Sequence, residues 1–197
     1  MRSSLAWAAA AAALALAACR TAPSPAPAAP PWDARRPELQ ARGHFELKGR
    51  VAVAAAGSGF NARLRWEQDG ARAQVALEGP LGAGAVHIDA HGNDLDIVTA
   101  SGARLTSDAA RAELNARLGF DPPLASLRYW ILGVPDPAQP ADETLDPVRQ
   151  HLTRLEQDGW RIDYGGYVAV GSEWLPARLT LARADVRVKL LVDDWRS

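Results

Sequence analysis

The sequence predicts a mainly β domain in which a strongly curved antiparallel sheet forms an unclosed barrel and a few helices cover its interior. Three observations carry this. Apolar residues recur with a period of two over most of the chain after Trp32, turn signals follow at close intervals, and only short stretches break the pattern with helical spacing. Half-buried strands must hide one face, and two helices are too few to cover so many strands of a flat sheet. Curling the sheet buries the inner faces against one another and against the helices, and it makes an apolar interior.

The strands follow in order. In "HFELKGRVAV" the residues Phe45, Leu47, Val51 and Val53 share a face, with Gly49 between them, and in "FNARLRW" the shared face holds Phe60, Ala62, Leu64 and Trp66. "AQVALE" repeats the alternation with Ala73, Val75 and Leu77, "AVHIDA" with Val86, Ile88 and Ala90, and "DLDIV" with Leu95 and Ile97. Between them stand "AAGSG", "EQDG", "GPLG" and "HGND", rich in the residues that tight turns require, so consecutive hairpins should make an antiparallel meander.

Two helices interrupt it. Ser107 is placed to cap a helix over Asp108–Leu118 with Gly119 as its stop, and "PLASLRYWILG" puts Leu124, Leu127 and Ile131 at helical spacing after Pro122-Pro123, ending at Gly133. A smaller helix is expected around Arg36–Ala41. The Pro-rich stretch from Gly133 to Pro147 reads as a long surface loop. Strands then resume at about Leu152–Glu156, Trp160–Tyr164, Val168–Val170, Leu175–Ala182 and Val186–Val192, with turns at Asp158-Gly159 and Gly165-Gly166.

The N-terminus has a different character. Met1-Arg2 is a short positive start, every residue from Leu5 to Ala18 is apolar, and Cys19 follows, which is the layout of a secretory signal peptide. The run is short for a membrane span, which needs roughly 20 residues. "LAAC", Leu16 to Cys19, also resembles a bacterial lipobox, which implies cleavage before Cys19 and acylation of that thiol. Cys19 is the only cysteine, so no intramolecular disulfide can use it. The expected organisation is a signal peptide over 1–18, a lipidated Cys and Pro/Ala-rich tether over 19–31, and one domain over 32–197.

A formal net charge of -1, from 22 Lys+Arg against 23 Asp+Glu, gives no basic footprint for nucleic acid. His87, Asp89 and His91 share a strand face, and imidazole and carboxylate suit a divalent metal. That face lies opposite Val86, Ile88 and Ala90 and has no fourth ligand nearby, so no metal or other cofactor is expected. Neither a nucleophile elbow nor a phosphate loop occurs, and no enzyme activity is expected. Arg50, Arg63, Arg65 and Arg72 take the polar faces of the first strands, where they either keep a solvated edge from pairing or dock an acidic partner or lipid head groups. Trp66 and Trp130 belong to the core or line a cavity.

"LEGPLGAG", Leu77 to Gly84, poses a separate question, because it places Leu81 at a turn between two strands. Turn positions go to residues that accept positive φ or bond their own backbone, and a leucine does neither. Either Leu81 tucks back onto the sheet or it is kept outside for a partner.

Taken together, "LASLRYWILGVP" (Leu124 to Pro135), "GPLG" (Gly79 to Gly82), "RLRWEQDG", "WRIDYGGY", "LPARLTL" and "RVKLLVDDW" resemble the outer-membrane lipoprotein receptor family LolB. The resemblance covers nearly the entire mature domain and implies an unclosed LolA/LolB-like barrel with a helical lid over a hydrophobic cavity. It implies a lipid-anchored outer-membrane protein, facing the periplasm, that receives acylated lipoproteins from the periplasmic carrier LolA and inserts them into the inner leaflet of the outer membrane. Arg20 follows the lipidated position where the residue that commonly retains lipoproteins in the inner membrane is Asp, in keeping with that destination. Leu81, between Pro80 and Gly82, matches the protruding-loop leucine associated with insertion, with Gly79 in place of the family's usual Asn. The residues expected to line the acyl-chain cavity are Phe45, Leu47, Phe60, Leu64, Trp66, Val75, Leu77, Leu127, Trp130 and Ile131. Arg50, Arg63 and Arg65 are expected to meet the carrier, and the protein is expected to act as a monomer. The alternative is another membrane-anchored lipid-binding or carrier protein of the cell envelope.

Overall fold

The computed structural model describes residues 30–55, 57–80, 84–92 and 94–196. Cys19, most of the tether, Leu81 and Gly82 lie outside the described residues. Helix α1 (Trp32–Gln40) leads into β1 (His44–Ala55), β2 (Ser58–Asp69), β3 (Arg72–Glu78), β4 (Val86–His91), β5 (Asp94–Thr99) and β6 (Arg104–Thr106). Then come α2 (Ser107–Leu118) and α3 (Leu124–Trp130), followed by β7 (Asp142–Leu145), β8 (Leu152–Gln157), β9 (Trp160–Val170), β10 (Glu173–Arg183) and β11 (Val186–Arg196). No described helix is long and apolar enough to cross a membrane.

The strands form one 11-stranded sheet in the order β6-β5-β4-β3-β2-β1-β11-β10-β9-β8-β7, antiparallel throughout. β6 and β7 are its two edges and do not pair with each other, so the barrel is unclosed, as the sequence predicts. The segment that joins those edges carries α2 and α3, so the helices cross the interior because the chain must pass from one rim to the other. Alternation sets the faces: Phe45, Leu47, Val51 and Val53 of β1 and Ala62, Leu64 and Trp66 of β2 are buried, while the residues between them face out or are half-buried, apart from the inward Gly49.

A bulge at the centre of the sheet explains the glycine of "ELKGRV". Lys48 pairs with Asp194 and Gly49 with Val192, which leaves Asp193 as the extra residue of β11. The bulge lets both Val192 and Trp195, an odd number of residues apart, point inward. It also presses the two backbones together: a Cβ on residue 49 would stand 2.3 Å from the Leu191 carbonyl oxygen. On the outer face Arg50 grips the bulged Asp193 with Nε and Nη2 at 3.1 and 2.9 Å.

The edges are covered. Along β7, Glu143 accepts a hydrogen bond from the Trp32 indole at 2.7 Å and pairs with Arg36 at 2.8 Å, which fastens α1 there. Beside β5 and β6, α2 buries Ala110 and Leu114.

Several local expectations are corrected. Gly165-Gly166 is not a turn but the middle of β9, at a place where its register with β10 shifts, because a glycine pair can bend a strand as readily as reverse it. The expected strands at Trp160–Tyr164 and Val168–Val170 are therefore one. The stretch from Gly133 to Pro147 is only partly surface: Val134 and Asp136 are buried, and β7 lies within it. Ser107 opens α2 at φ 51 and no side chain caps that helix, whereas Gly119 ends it in the left-handed conformation at φ 79. The N-terminal helix starts at Trp32, earlier than its weak pattern indicates.

Candidate functional site: an apolar cavity under a helical roof

The inner faces of β1 to β4 and of β10 and β11 enclose a cavity of about 100 Å³ whose wall presents no polar surface. Of the residues expected to line it, Phe60, Leu64, Trp66, Val75, Leu77, Leu127 and Ile131 do so. Phe45, Leu47 and Trp130 do not: all three are buried in the core, with Phe45 edge-on to Trp195 at 5.9 Å. The wall is completed by Val51, Val53, Ile88, Trp160, Leu181, Val188 and Leu190, most of them on the same alternating faces. Its roof is Leu118, Phe120, Pro122, Pro123 and Leu124, most of them in the coil between α2 and α3, which carries no periodicity to mark it.

The orientation of Trp66 and of Trp130 follows from where each indole N–H goes. The Trp66 indole donates to Gln68 Oε1 at 2.9 Å, and Gln68 in turn donates to the Gly70 carbonyl at 3.0 Å, so a polar end is satisfied while the ring faces the cavity. The Trp130 indole donates instead to Gln157 Oε1 at 2.7 Å, which draws the ring away from the cavity and into the layer behind the roof. Trp160 packs between Phe120 and Trp130, at 5.7 and 6.3 Å.

The roof has one fixed end and one loose end. Gln157, 3% exposed, accepts from the Asp136 backbone N–H at 2.9 Å and donates to the Asp136 and Gln139 carbonyls at 2.9 Å each. Ser126 of α3 donates to Asp136 Oδ2 at 2.8 Å, Tyr164 donates to the Trp130 carbonyl at 3.0 Å, and Gln40 of α1 donates to the Pro135 carbonyl at 2.8 Å. Arg128 reaches the Gly70 carbonyl at 2.9 Å. Gly133, at φ 78, fits where a Cβ would stand 3.0 Å from Pro176 and 3.2 Å from the Tyr167 hydroxyl. The "LASLRYWILGVP" segment is thus mainly a clasp, and only Leu124, Leu127 and Ile131 of it meet the cavity. Toward α2, by contrast, the roof is held by apolar contact and by an exposed Arg111–Asp121 pair at 3.3 Å, a kind of contact worth little in water.

The remaining expected residues lie elsewhere. Pro80 is exposed just beyond β3, while Leu81, Gly82 and Cys19 lie outside the described residues. Arg50, Arg63 and Arg65 are exposed on the outer face, away from the cavity. Asp89 is paired with Arg72, whose guanidinium holds its carboxyl below the usual range, and His87 and His91 are exposed. No group of three His, Cys, Asp or Glu side chains able to hold a metal occurs among the described residues.

Comparison with known proteins bears on this geometry. A family model described as "Outer membrane lipoprotein LolB" matches residues 43–195. The chain is 32% identical over 165 residues to the outer-membrane lipoprotein LolB of Ectopseudomonas mendocina, covering 84% of this chain and 80% of that protein. Identity to the protein of the same name from Pseudomonas aeruginosa is also 32%, with the same coverage. Among solved structures, a LolA superfamily protein from Nitrosomonas europaea superposes with a TM-score of 0.53 at 11% identity, covering 85% of this chain and 94% of that one, a likeness of fold alone.

Proposed function

This chain belongs to the LolB family of outer-membrane lipoproteins, and from that premise we propose how its own residues carry the family's work. It is a lipid-anchored outer-membrane protein that receives acylated lipoproteins and inserts them into that membrane. We assign the anchor to Cys19, after removal of residues 1–18, and the reach from the membrane to the tether over 19–31. Cargo comes from the periplasmic carrier LolA, the acyl chains enter the apolar cavity, and the protein acts as a monomer without covalent chemistry of its own.

The observation that carries this reading is an apolar cavity closed by a roof that is fastened at one end only. Water takes up about 30 Å³ per molecule, so 100 Å³ holds roughly three or four groups of methylene size. An acyl chain of roughly 15 methylenes needs several times that space, so loading requires the Leu118–Leu124 segment to move outward while the Gln157 clasp holds α3 in place. The incentive is large: three chains left in water would cost on the order of 35 kcal/mol at about 0.8 kcal/mol per methylene. Passage from one cavity into another avoids that barrier and runs downhill on differences in affinity, without nucleotide hydrolysis.

Leu81 is assigned to the last step, dipping from its Pro80–Gly82 tip into the inner leaflet while cargo leaves. The test mixes the domain lacking its first 19 residues with a carrier that holds an acylated lipoprotein, then adds vesicles. Cargo should pass to the domain. Leu81→Glu should leave that transfer intact and slow release into vesicles; cargo that stays on the carrier rejects the receptor reading, and unchanged release rejects the role of Leu81.

A further inference from the structure

The outer face carries a charge pattern that folding does not explain. Along the β1–β2 hairpin the outward rows pair Glu46 with Glu67, Lys48 with Arg65, and Arg50 with Arg63. Like charges directly opposite one another destabilise a sheet, and diagonal Glu–Lys/Arg neighbours offset only part of that. The rows nearest Pro80 are the basic ones. Arg63 stands beside Glu78 at the end of β3, and the next strands add Lys189 and Arg178, all exposed.

Of these cations only Arg50 has a carboxylate within 4.0 Å among the described residues, that of Asp193. Lys48, Arg63, Arg65, Arg178 and Lys189 have none among the described residues. Arg63, Arg178 and Lys189, together with Arg50, line a groove of about 600 Å³ that has Glu78 as its acid and Gly79 and Pro80 at its rim. The Arg178 stem lies flat against the sheet because residue 165 is glycine: a Cβ there would stand 3.2 Å from Arg178 Cδ.

We infer that this groove binds the phosphate of anionic phospholipid headgroups and seats the outer face of β1, β2, β10 and β11 on the bilayer. A concave site of this size suits a headgroup, and guanidinium forks match phosphate oxygens. The acidic Glu46–Glu67 row lies at the far end of the same hairpin, so an anionic surface attracts one end and repels the other, which orients the domain with Pro80 toward the membrane. The inference rests on the outer-membrane reading above but not on the cavity.

The test uses the mature acylated chain in vesicles. With Cys19 acylated, Asn61→Cys supplies the one free thiol for a fluorophore at the groove rim, and a nitroxide on the lipid headgroups reports its approach. Docking should appear with about 30% phosphatidylglycerol and be weak in pure phosphatidylcholine. Each Lys or Arg near such a surface is worth about fivefold, so Arg63→Gln with Lys189→Gln should lower the docked-to-undocked ratio about 25-fold. Arg63→Ala, which removes the like-charge pair with Arg50 and puts no new acid beside Glu78, should lower it too. Quenching independent of anionic lipid, or unchanged by these substitutions, overturns the proposal. So does a result in which they only slow transfer from a loaded carrier, since the groove would then serve a protein partner. Loading of a fluorescent fatty acid is followed in the same samples: lost docking with normal loading counts against the groove alone, and absent loading with normal docking counts against the cavity reading alone.

Discussion

Replacing Gln157 by Leu keeps the volume of the side chain and removes its polar atoms. Two buried donors lose their acceptor, the Trp130 indole and the Asp136 backbone N–H, and the carbonyls of Asp136 and Gln139 lose a donor. A carbonyl tolerates such a loss better than an N–H, because it keeps a second lone pair and Gln139 is exposed. Each orphaned donor costs about 1–3 kcal/mol, and the gain from burying leucine offsets about 1–2 kcal/mol of the sum, so the net loss should be about 3 kcal/mol. A domain with about 5–15 kcal/mol of stability survives that, with its Tm lowered by roughly 6–12 °C. Urea denaturation followed by tryptophan fluorescence measures it, and the clasp also predicts faster uptake of a fluorescent fatty acid as the fixed end of the roof loosens. Ser126→Ala, which removes a single bond to Asp136, should cost about 1 kcal/mol. A Gln157→Leu loss below about 1 kcal/mol, with unchanged uptake, would refute the clasp argument.

Three further outcomes can be checked together. Gly49→Ala forces its Cβ against the Leu191 carbonyl, a clash with backbone that cannot swing aside, so thermal unfolding should show a loss of about 3 kcal/mol or more; a loss under about 1 kcal/mol would mean that the bulge is more pliable than its geometry implies. Val188→Trp puts bulk into the cavity from a half-buried position and should weaken binding of a fluorescent fatty acid at least about tenfold with little change in Tm, since the site tolerates strain better than the closed core; undiminished binding would place the acyl site elsewhere. Burial pushes the His151 imidazole below its ordinary 6.5, reinforced by Arg35 and Arg149 and opposed by Asp146. The unfolded chain therefore takes up that proton first as the pH falls, so stability is complete above about pH 6.5 and declines below it toward the folded-state value; His151→Gln should flatten that slope, and an unaltered pH profile would show that another group governs it.

How far the sequence could be read depended on the range of the forces involved. Alternation within one strand reports its own face, so Phe60, Leu64, Trp66, Val75 and Leu77 were legible as inward residues and do meet in one cavity. Phe45 and Leu47 share a strand face with Val51 and Val53, yet only the latter pair reaches the cavity, because position along a curved strand decides between hollow and packed core. Trp130 was beyond local reasoning: its partner Gln157 is 27 residues away, and the bond between them, rather than helical spacing, sets the ring's direction. The Phe120–Pro123 part of the roof has no period at all. Gly165-Gly166 carries a turn signature because glycine relaxes backbone limits in both a reversal and a bend, and composition does not tell them apart.

The sheet order has a temporal consequence. β1 and β11, the first and last strands to leave any translocation machinery, are neighbours at the middle of the sheet. Until the final residues emerge, β1 to β6 and β7 to β10 are two ribbons with no strand pairing between them, held together by the helical crossover and by the contacts of α1 with Glu143 and Pro135, and the hollow has no floor. Exposed to lipid on its way out, an incomplete chain offers no enclosed apolar space, so the protein acquires its capacity for grease only once it has been delivered whole.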